Sequence, residues 1–463
     1  MNTLQSISPI DGKYRRYTQP LAEFFSEKGL ICKRLFIECE FLIFLSEYKK
    51  FGIRSFSKKE KDIIRRIYKV NDKDLQIIKD IEVKGYKNIG PTFHDVKSIE
   101  YFIVEKLKKS TLKDSLNWIH FGLTTADINN IAYYLMISDG IDKILYPVLK
   151  KIYSSIEKFA QKYKDIPMLA RTHGQVASPT TVGKEFKVFS HRLKSQMKQL
   201  KGSVISAKLN GATGNYNALY AAYPKINWFK FTERFIKRLN TKRIIKLEAD
   251  FVTTQIENRD NLASLFDCFR RINTILIDFV QDIWRYISDD WIKQKVVKEE
   301  VGSSTMPHKV NPINFENAEG NLGIANSLFS FFSSKVPISR LQRDLSGSTV
   351  RRNYGVAFGH SLVAYKSILK GLDKIEINKE KIIQELKNHP EVISEAIQTI
   401  LRRENVEKPY EKLKELTRGK KITKNIIDNF IDQLDISPEV KNELRKISPE
   451  NYTGLASEIV TKF

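Results

Sequence analysis

The stretch GSSTMPHKVNP, residues 302–312, gathers two serines, a threonine, a histidine, a lysine and an asparagine around one glycine and two prolines. Glycine and proline at this density keep backbone out of helix and strand and leave N–H groups available to a ligand. The N–H groups near Ser303 and Ser304, the ammonium of Lys309 and the amide of Asn311 could together hold a carboxylate. The same field would stabilise the charge that develops when a proton leaves the neighbouring carbon. A serine in that field could take the proton if its alkoxide is favoured there. A plain surface loop built for turns has the same composition, so this stretch alone does not decide.

Other stretches could supply partners. His173, in ARTHGQVASPTTVGKEF, sits in a polar turn ahead of a long helix, with Thr172 and Gln175 beside it. Hydroxyls, amides and helix N-termini bind anions, although a lone histidine is more often structural. In IHFGLTTADINN, Thr124 and Thr125 precede Asp127, which suits an anion site and equally an ordinary helix start. His94 and Asp95 open another helix in PTFHDVKSIEYF. The glycine-rich turn GATGNYNA is a weak signal. In SRLQRDLSGSTVRRN, Arg343, Ser348 and Arg352 could clamp a phosphate, or form a basic helix entrance.

Long helices must position these groups. From Leu262, apolar residues fall at 262, 265, 266, 269, 272, 276, 279, 280, 283 and 287, a helical stripe far longer than an average globular helix. Val182, Phe186, Phe189, Leu193, Met197 and Leu200 form a second stripe, and Pro147 suits the first turn of a third helix. Stripes of this length predict an all-α bundle and suit association with further subunits. The best strand signal, TKRIIKLEADFVTT, predicts a short hairpin arm. We expect a helical N-terminal domain over 1–113, a long-helix bundle over 114–365 and a helical C-terminal domain over 366–463.

The chain has 463 residues, 41% hydrophobic and 29% charged, which fits a folded soluble protein of two or three domains. No apolar run could cross a bilayer and the start lacks a signal peptide's apolar core, so a cytoplasmic protein is expected. Cys32, Cys39 and Cys268 form no metal spacing and read as reduced thiols. The net charge of +24 fits a lysine-biased surface or an anionic small substrate. No zinc-finger spacing, RNP-like strand or basic heptad supports a nucleic-acid partner.

Taken together, GSSTMPHKVNP, RTHGQ, LTTADINN and HDVKSIEYF resemble the fumarase/aspartase superfamily. His308 after Met-Pro points to its adenylosuccinate lyase and carboxymuconate cycloisomerase branches. GNYNA, TTQIE, QRDLSGSTVRRN and EKPYEKLKELTRGK favour the adenylosuccinate lyase family. The resemblance runs over nearly the whole chain, from SPIDGKY onward.

That family cleaves a C–N bond by anti β-elimination and releases fumarate, from adenylosuccinate to leave AMP and from a succinylated aminoimidazole carboxamide ribotide. The resemblance implies no metal or organic cofactor, small nucleotide substrates, and a homotetramer with active sites shared among subunits. It implies Ser303 as general base, His173 as general acid and Glu316 as the carboxylate orienting that histidine. Lys309 and Asn311 would hold the succinyl carboxylates, with Ser304 lining the pocket. Thr124, Thr125 and Thr172 would bind carboxylates nearby, and His94 and Asp95 would position substrate. Gln255 and Asn317 would line the site, while Tyr14, Arg343, Ser348 and Arg352 would meet the nucleotide phosphate.

Two positions depart from the family pattern. Lys13 stands where an arginine is frequent and loses the bidentate fork, with Arg15 or Arg16 as substitutes. Phe93 stands where a polar asparagine is frequent. Competing expectations are a carboxymuconate cycloisomerase, which would need no nucleotide site, and a structural protein recruited from the same fold.

Overall fold

The computed structural model describes residues 3–240, 243–295, 306, 309–417 and 422–463. Helices dominate them, and the strands form three two-stranded pairs. β1 (Pro167–Thr172) and β2 (Gln175–Thr181) are antiparallel, β3 (Val204–Ala207) and β4 (Lys246–Ala249) are parallel, and β5 (Ile292–Gln294) and β6 (Ile375–Ile377) are antiparallel. No helix among the described residues is long and apolar enough to cross a membrane.

The chain divides into two compact units. The first comprises Met1–Leu149, Gln196–Thr274 and Gly320–Lys366. The second comprises Lys150–Ser195, Ile275–Glu319 and Ser367–Phe463.

The first unit is built around the helices Glu27–Glu47 and Thr125–Gly140, which pack on each other. Both carry buried residues on almost every side, the pattern of a helix enclosed by others. Ser26 starts the former by accepting from the Gly29 N–H at 3.1 Å, one of the donors a helix start leaves unpaired. Phe266 is fully buried against Phe329, Phe332 and Tyr354, with ring centroids 5.8, 5.5 and 5.0 Å away.

The predicted stripe lies on the helix Asp260–Ser288, and its members from Leu262 to Ile283 are buried. The stripe after Thr181 lies on Val182–Lys201 and is buried from Val182 to Leu200. In the second unit these two stripes meet, with Phe279 5.9 Å from Phe186 and 5.2 Å from Phe189. Pro147 falls in the first turn of Tyr146–Lys162, as expected.

The expected hairpin arm needs correction. Lys246–Ala249 is a strand, but its partner is β3, in parallel register from Val204↔Lys246 to Ala207↔Ala249. Parallel strands need a long crossover. The helices Asn217–Ala222 and Trp228–Leu239 supply it.

Between those strands the glycine-rich turn is tightly determined. Gly214 has φ +84°, and a Cβ there would come 2.3 Å from the Thr253 carbonyl oxygen. Alanine would meet both a left-handed conformation and a backbone clash. Gly214→Ala is therefore expected to lower the unfolding free energy by about 1–3 kcal/mol in urea titrations. Gly90→Ala, where an added Cβ meets nothing within 4 Å, is the control with little change.

Candidate active site

In the second unit, β1 and β2 form a hairpin whose last pair is Thr172↔Gln175. Its two-residue tip is His173 and Gly174, at φ +54° and +77°. Positive φ at both central residues is the turn that matches the twist of paired strands, and it projects the intervening side chain outward. His173 and Thr172 are accordingly exposed. The polar turn was expected; the strands on either side were not. The Arg171 guanidinium stacks over Trp291 at 5.4 Å.

The loop read as catalytic falls largely outside the described residues, Ser303, Ser304 and His308 included. Its end is described. Lys309 is exposed, with its N–H donating to the Met306 carbonyl at 3.0 Å, and Gln294 donates to the Val310 carbonyl at 3.0 Å. Pro312 then starts the helix Ile313–Lys335, its carbonyl accepting from the Phe315 N–H at 2.9 Å. Asn311 and Asn317 are half-buried at this helix start. Glu316 is exposed in the first turn and accepts from Trp284 Nε1 at 3.1 Å. Among the described residues of one chain, no ion pair joins Glu316 to His173.

The first unit gathers another group. His94 caps the helix Asp95–Leu107, its Nδ1 accepting from the Lys97 N–H at 3.1 Å. That leaves Nε2 directed at Thr125 Oγ1, 3.5 Å away. Asp95 takes the Arg34 guanidinium at 2.5 Å, and Arg34 also donates to Asn129 at 2.8 Å. Burial pushes the Asp95 carboxyl up, but Arg34 outweighs it and holds the group below the usual carboxylate range. Gln255 Oε1 accepts from Arg343 at 3.0 Å, and Thr254 donates to the Gln342 carbonyl at 2.9 Å. Burial lowers the Arg343 pKa, Arg259 adds to this, and Asp95 opposes it. His94 with Thr125, and Gln255 with Arg343, thus form two bonded pairs, and the Asp95 charge is felt at Arg343.

Thr124 and Thr125 owe their places to Asp127. Its fully buried carboxylate accepts from the Thr124 N–H at 2.9 Å, the Asn210 N–H at 3.2 Å and the Gly211 N–H at 3.2 Å. Lys208 Nζ, equally buried, completes it at 2.6 Å. The sequence suggested Asp127 only as a helix-start residue; its cation lies 81 positions away.

The phosphate candidates lie in the same unit. Arg352 is exposed, donates to the Ser348 carbonyl at 3.0 Å, and shares the lining of a cavity of about 320 Å³ with Arg34, Asp95 and Arg351. Arg351 and Arg34 were not anticipated. Arg351 donates to Ser348 Oγ at 3.1 Å and stacks over Tyr133 at 4.9 Å, while its buried Nε has no partner. A run of two arginines after the serine was the available signal. Lys13 is exposed beside the half-buried Tyr14, its Nζ 5.9 Å from that ring. Arg15 is held by Asp11 at 3.1 Å, and Arg16 lies over Tyr17.

Two features bear on electrostatics and strain. His120 Nδ1 lies 2.6 Å from the fully buried Glu38 carboxylate. Burial opposes its charge, but Glu38, then Glu100 and Asp127, outweigh this and raise it to about 9. Phe93, just before His94, has φ +48° and is 79% exposed. A bulky side chain gains nothing from that exposure and is disfavoured in left-handed backbone.

The comparisons with known proteins agree along the chain. A model described as lyase matches residues 12–325, and one described as adenylosuccinate lyase C-terminal matches residues 339–453. The chain is similar to the adenylosuccinate lyase of Dictyostelium discoideum, 51% identical over 98% of this chain and 97% of that protein. It is similar to those of Haemophilus influenzae, at 45% over 100% and 99%, and Escherichia coli, at 43% over 99% and 99%. Among solved structures, a fumarate lyase from Mesorhizobium has a TM-score of 0.72 at 16% identity, covering 96% of both chains. A 3-carboxy-cis,cis-muconate lactonizing enzyme from Pseudomonas putida has a TM-score of 0.71 at 18% identity with the same coverage. These last two support the all-α fold alone.

Two outcomes follow from the electrostatics and the strain. His120 has a folded value of about 9 against 6.5 unperturbed, so its contribution is full below about pH 6.5 and lost as pH rises through about 9. Unfolding free energies measured across that window are expected to fall by about 3 kcal/mol from this group, and Glu38→Gln should flatten that slope. Phe93→Asn should raise stability by about 1 kcal/mol in thermal melts, because asparagine tolerates the left-handed backbone.

Proposed function

The chain belongs to the adenylosuccinate lyase family of the fumarase/aspartase superfamily, and from that premise we propose the reaction and the residues that carry it. The enzyme is a C–N lyase. It eliminates fumarate from adenylosuccinate to leave AMP, and from the succinylated aminoimidazole carboxamide ribotide to leave the carboxamide, in purine nucleotide biosynthesis. The observation that carries this reading is identity of 43–51% over essentially the full chain to relatives bearing that name. A muconate cycloisomerase is not favoured, since its similarity to the chain is confined to the fold.

In this reading Ser303 removes the proton from the succinyl carbon beside the carbon bonded to nitrogen. The electron pair first rests on the adjoining carboxylate, where Lys309 and Asn311 stabilise it and Ser304 lines the pocket. It then forms the double bond of fumarate as the C–N bond breaks. His173 gives its proton to the departing nitrogen from the opposite face, and Glu316 holds that imidazole in place. Thr124, Thr125 and Thr172 bind carboxylate oxygens.

His94 and Asp95 position the substrate, and the His94–Thr125 approach supports treating them as one surface. Gln255 and Asn317 line the site. Arg343, Ser348, Arg352, Tyr14 and Lys13 meet the phosphate end. The half-buried guanidinium of Arg343, bonded to Gln255, is suited to an anionic ligand that would offset its partial desolvation. Active sites shared among the subunits of a homotetramer would let a second copy supply the partner of His173, and we place the enzyme in the cytoplasm.

The test is the ultraviolet difference spectrum of adenylosuccinate incubated with purified protein. The wild type should yield AMP and fumarate. Ser303→Ala and His173→Ala should each lose about 10²–10⁴ in rate with unchanged oligomeric state. No conversion by the folded wild type would reject the assignment.

A further inference from the structure

The proposed roles leave the helices after residue 366 without a part in the chemistry, yet three of them grip the hairpin that carries His173. The helix Lys379–Lys387 packs on β1, and the segment Pro390–Ile393 and the helix Ala456–Lys462 pack on β2. Ser457 donates to the Lys164 carbonyl at 3.0 Å and Gln161 to the Val460 carbonyl at 3.0 Å, tying the last helix to the chain that leads into the hairpin.

The hairpin is not a regular ladder. Met168 pairs with Thr180, but Ala170 pairs with Ala177. Leu169 therefore faces two residues, Ser178 and Pro179. This is a β-bulge, which bends its strand, raises the local twist and so sets where the strand end points. Pro179 suits the position because the bulge releases a ladder N–H. The Ser178 hydroxyl donates to Glu395 Oε2, and the Tyr452 hydroxyl donates to the same oxygen at 3.0 Å. Glu395 itself lies in the first turn of Ser394–Arg403, where a helix N-terminus favours a negative charge. One carboxylate oxygen thus joins the bulge, the start of one C-terminal helix and the segment preceding another.

We infer that Glu395, with Ser178 and Tyr452, is a positioning group that sets the direction of the His173 hairpin. The inference rests on the reading of His173 as the general acid. The lever from bulge to tip is about 15 Å at the rise of a strand, so a tilt of about 4° displaces the imidazole by about 1 Å. A displacement of that size costs up to about 10²-fold in rate. The hydrogen bonds are partly open to water, so they add little to global stability; their effect falls on direction.

The experiment compares kcat, KM, pH–rate profile and thermal stability of the full-length enzyme and its Glu395→Ala, Glu395→Gln, Ser178→Ala, Leu444→Ala and His173→Ala variants. Glu395→Ala should lower kcat about 10-fold or more, leave KM within about 2-fold, and shift the limb of the profile that reports the acid. Glu395→Gln keeps an acceptor oxygen and should recover most of the loss, and Ser178→Ala should act in the same direction. Leu444→Ala, a buried C-terminal core residue that makes none of the latch's hydrogen bonds, should lower the melting temperature without moving the profile. An inactive His173→Ala beside a Glu395→Ala that behaves like Leu444→Ala would overturn the latch alone. Full activity in His173→Ala would bring down the acid assignment and the latch with it.

Discussion

The buried pair of Asp127 and Lys208 is the constraint on which the first unit's proposed binding residues depend. Taking two charges out of water is tolerable only when every lone pair and proton is met. Here Asp127 accepts from three backbone N–H groups besides Lys208, and Lys208 also donates to the Gly211 carbonyl at 2.9 Å. Burial lowers the lysine's pKa and Asp127 opposes it, so the carboxylate sustains the buried ammonium. The geometry leaves little freedom. It fixes the start of the Thr125–Gly140 helix against the end of β3 and the glycine-rich turn. Asn210 then reaches Thr253 Oγ1 at 2.8 Å, which locates the segment leading to Gln255 and, through it, Arg343.

From that anchor outward, the first unit is made of cations held in fixed directions. Arg34 is divided between Asp95 and Asn129, Arg343 is bonded to Gln255, and Arg351 has a buried nitrogen without a partner. Desolvated guanidinium groups that share few carboxylates are costly in the free protein and well matched to a multiply anionic ligand. The second unit works differently. Its His173 is presented on a hairpin tip, aimed by backbone pairing and the bulge, and its Lys309 and Glu316 sit where a proline-started helix begins.

The fold was legible where its helices are long and one-sided, as in Asp260–Ser288 and Val182–Lys201. Leu262, Phe266, Phe269 and Leu276 recur at helical spacing, and all are buried. Periodicity fails where elements are short. The hairpin strands around His173 have six and seven residues and carry a bulge, so no clean alternation marks them. The strand Lys246–Ala249 was signalled by the β-branched residues around it, Ile244, Ile245 and Val252, but local signals favour a nearby partner, and β3 lies across two helices. Likewise Asp127 satisfied a local rule, helix capping, that concealed its bond to Lys208. Gln255 came from resemblance alone, whereas His94, Asp95 and Arg343 also stood out in their own stretches; the structure adds the His94–Thr125 approach and the Arg343–Gln255 bond.

The turn at His173 reconciles two demands. A general acid must project beyond the scaffold to reach a leaving group, yet must be fixed to well under an ångström. A long flexible loop meets the first demand and fails the second. A two-residue turn closed by the Thr172↔Gln175 pair meets both, at the cost of positive φ at each central position. Gly174 adopts that conformation freely, and histidine is among the side chains that tolerate it. Gly174 has nothing near its missing Cβ, so backbone conformation rather than space accounts for a glycine there. On the proposed reading of His173 as the acid, the residue type at the tip is chosen twice, once by proton chemistry and once by the backbone. An asparagine would satisfy the turn but could not serve as the acid.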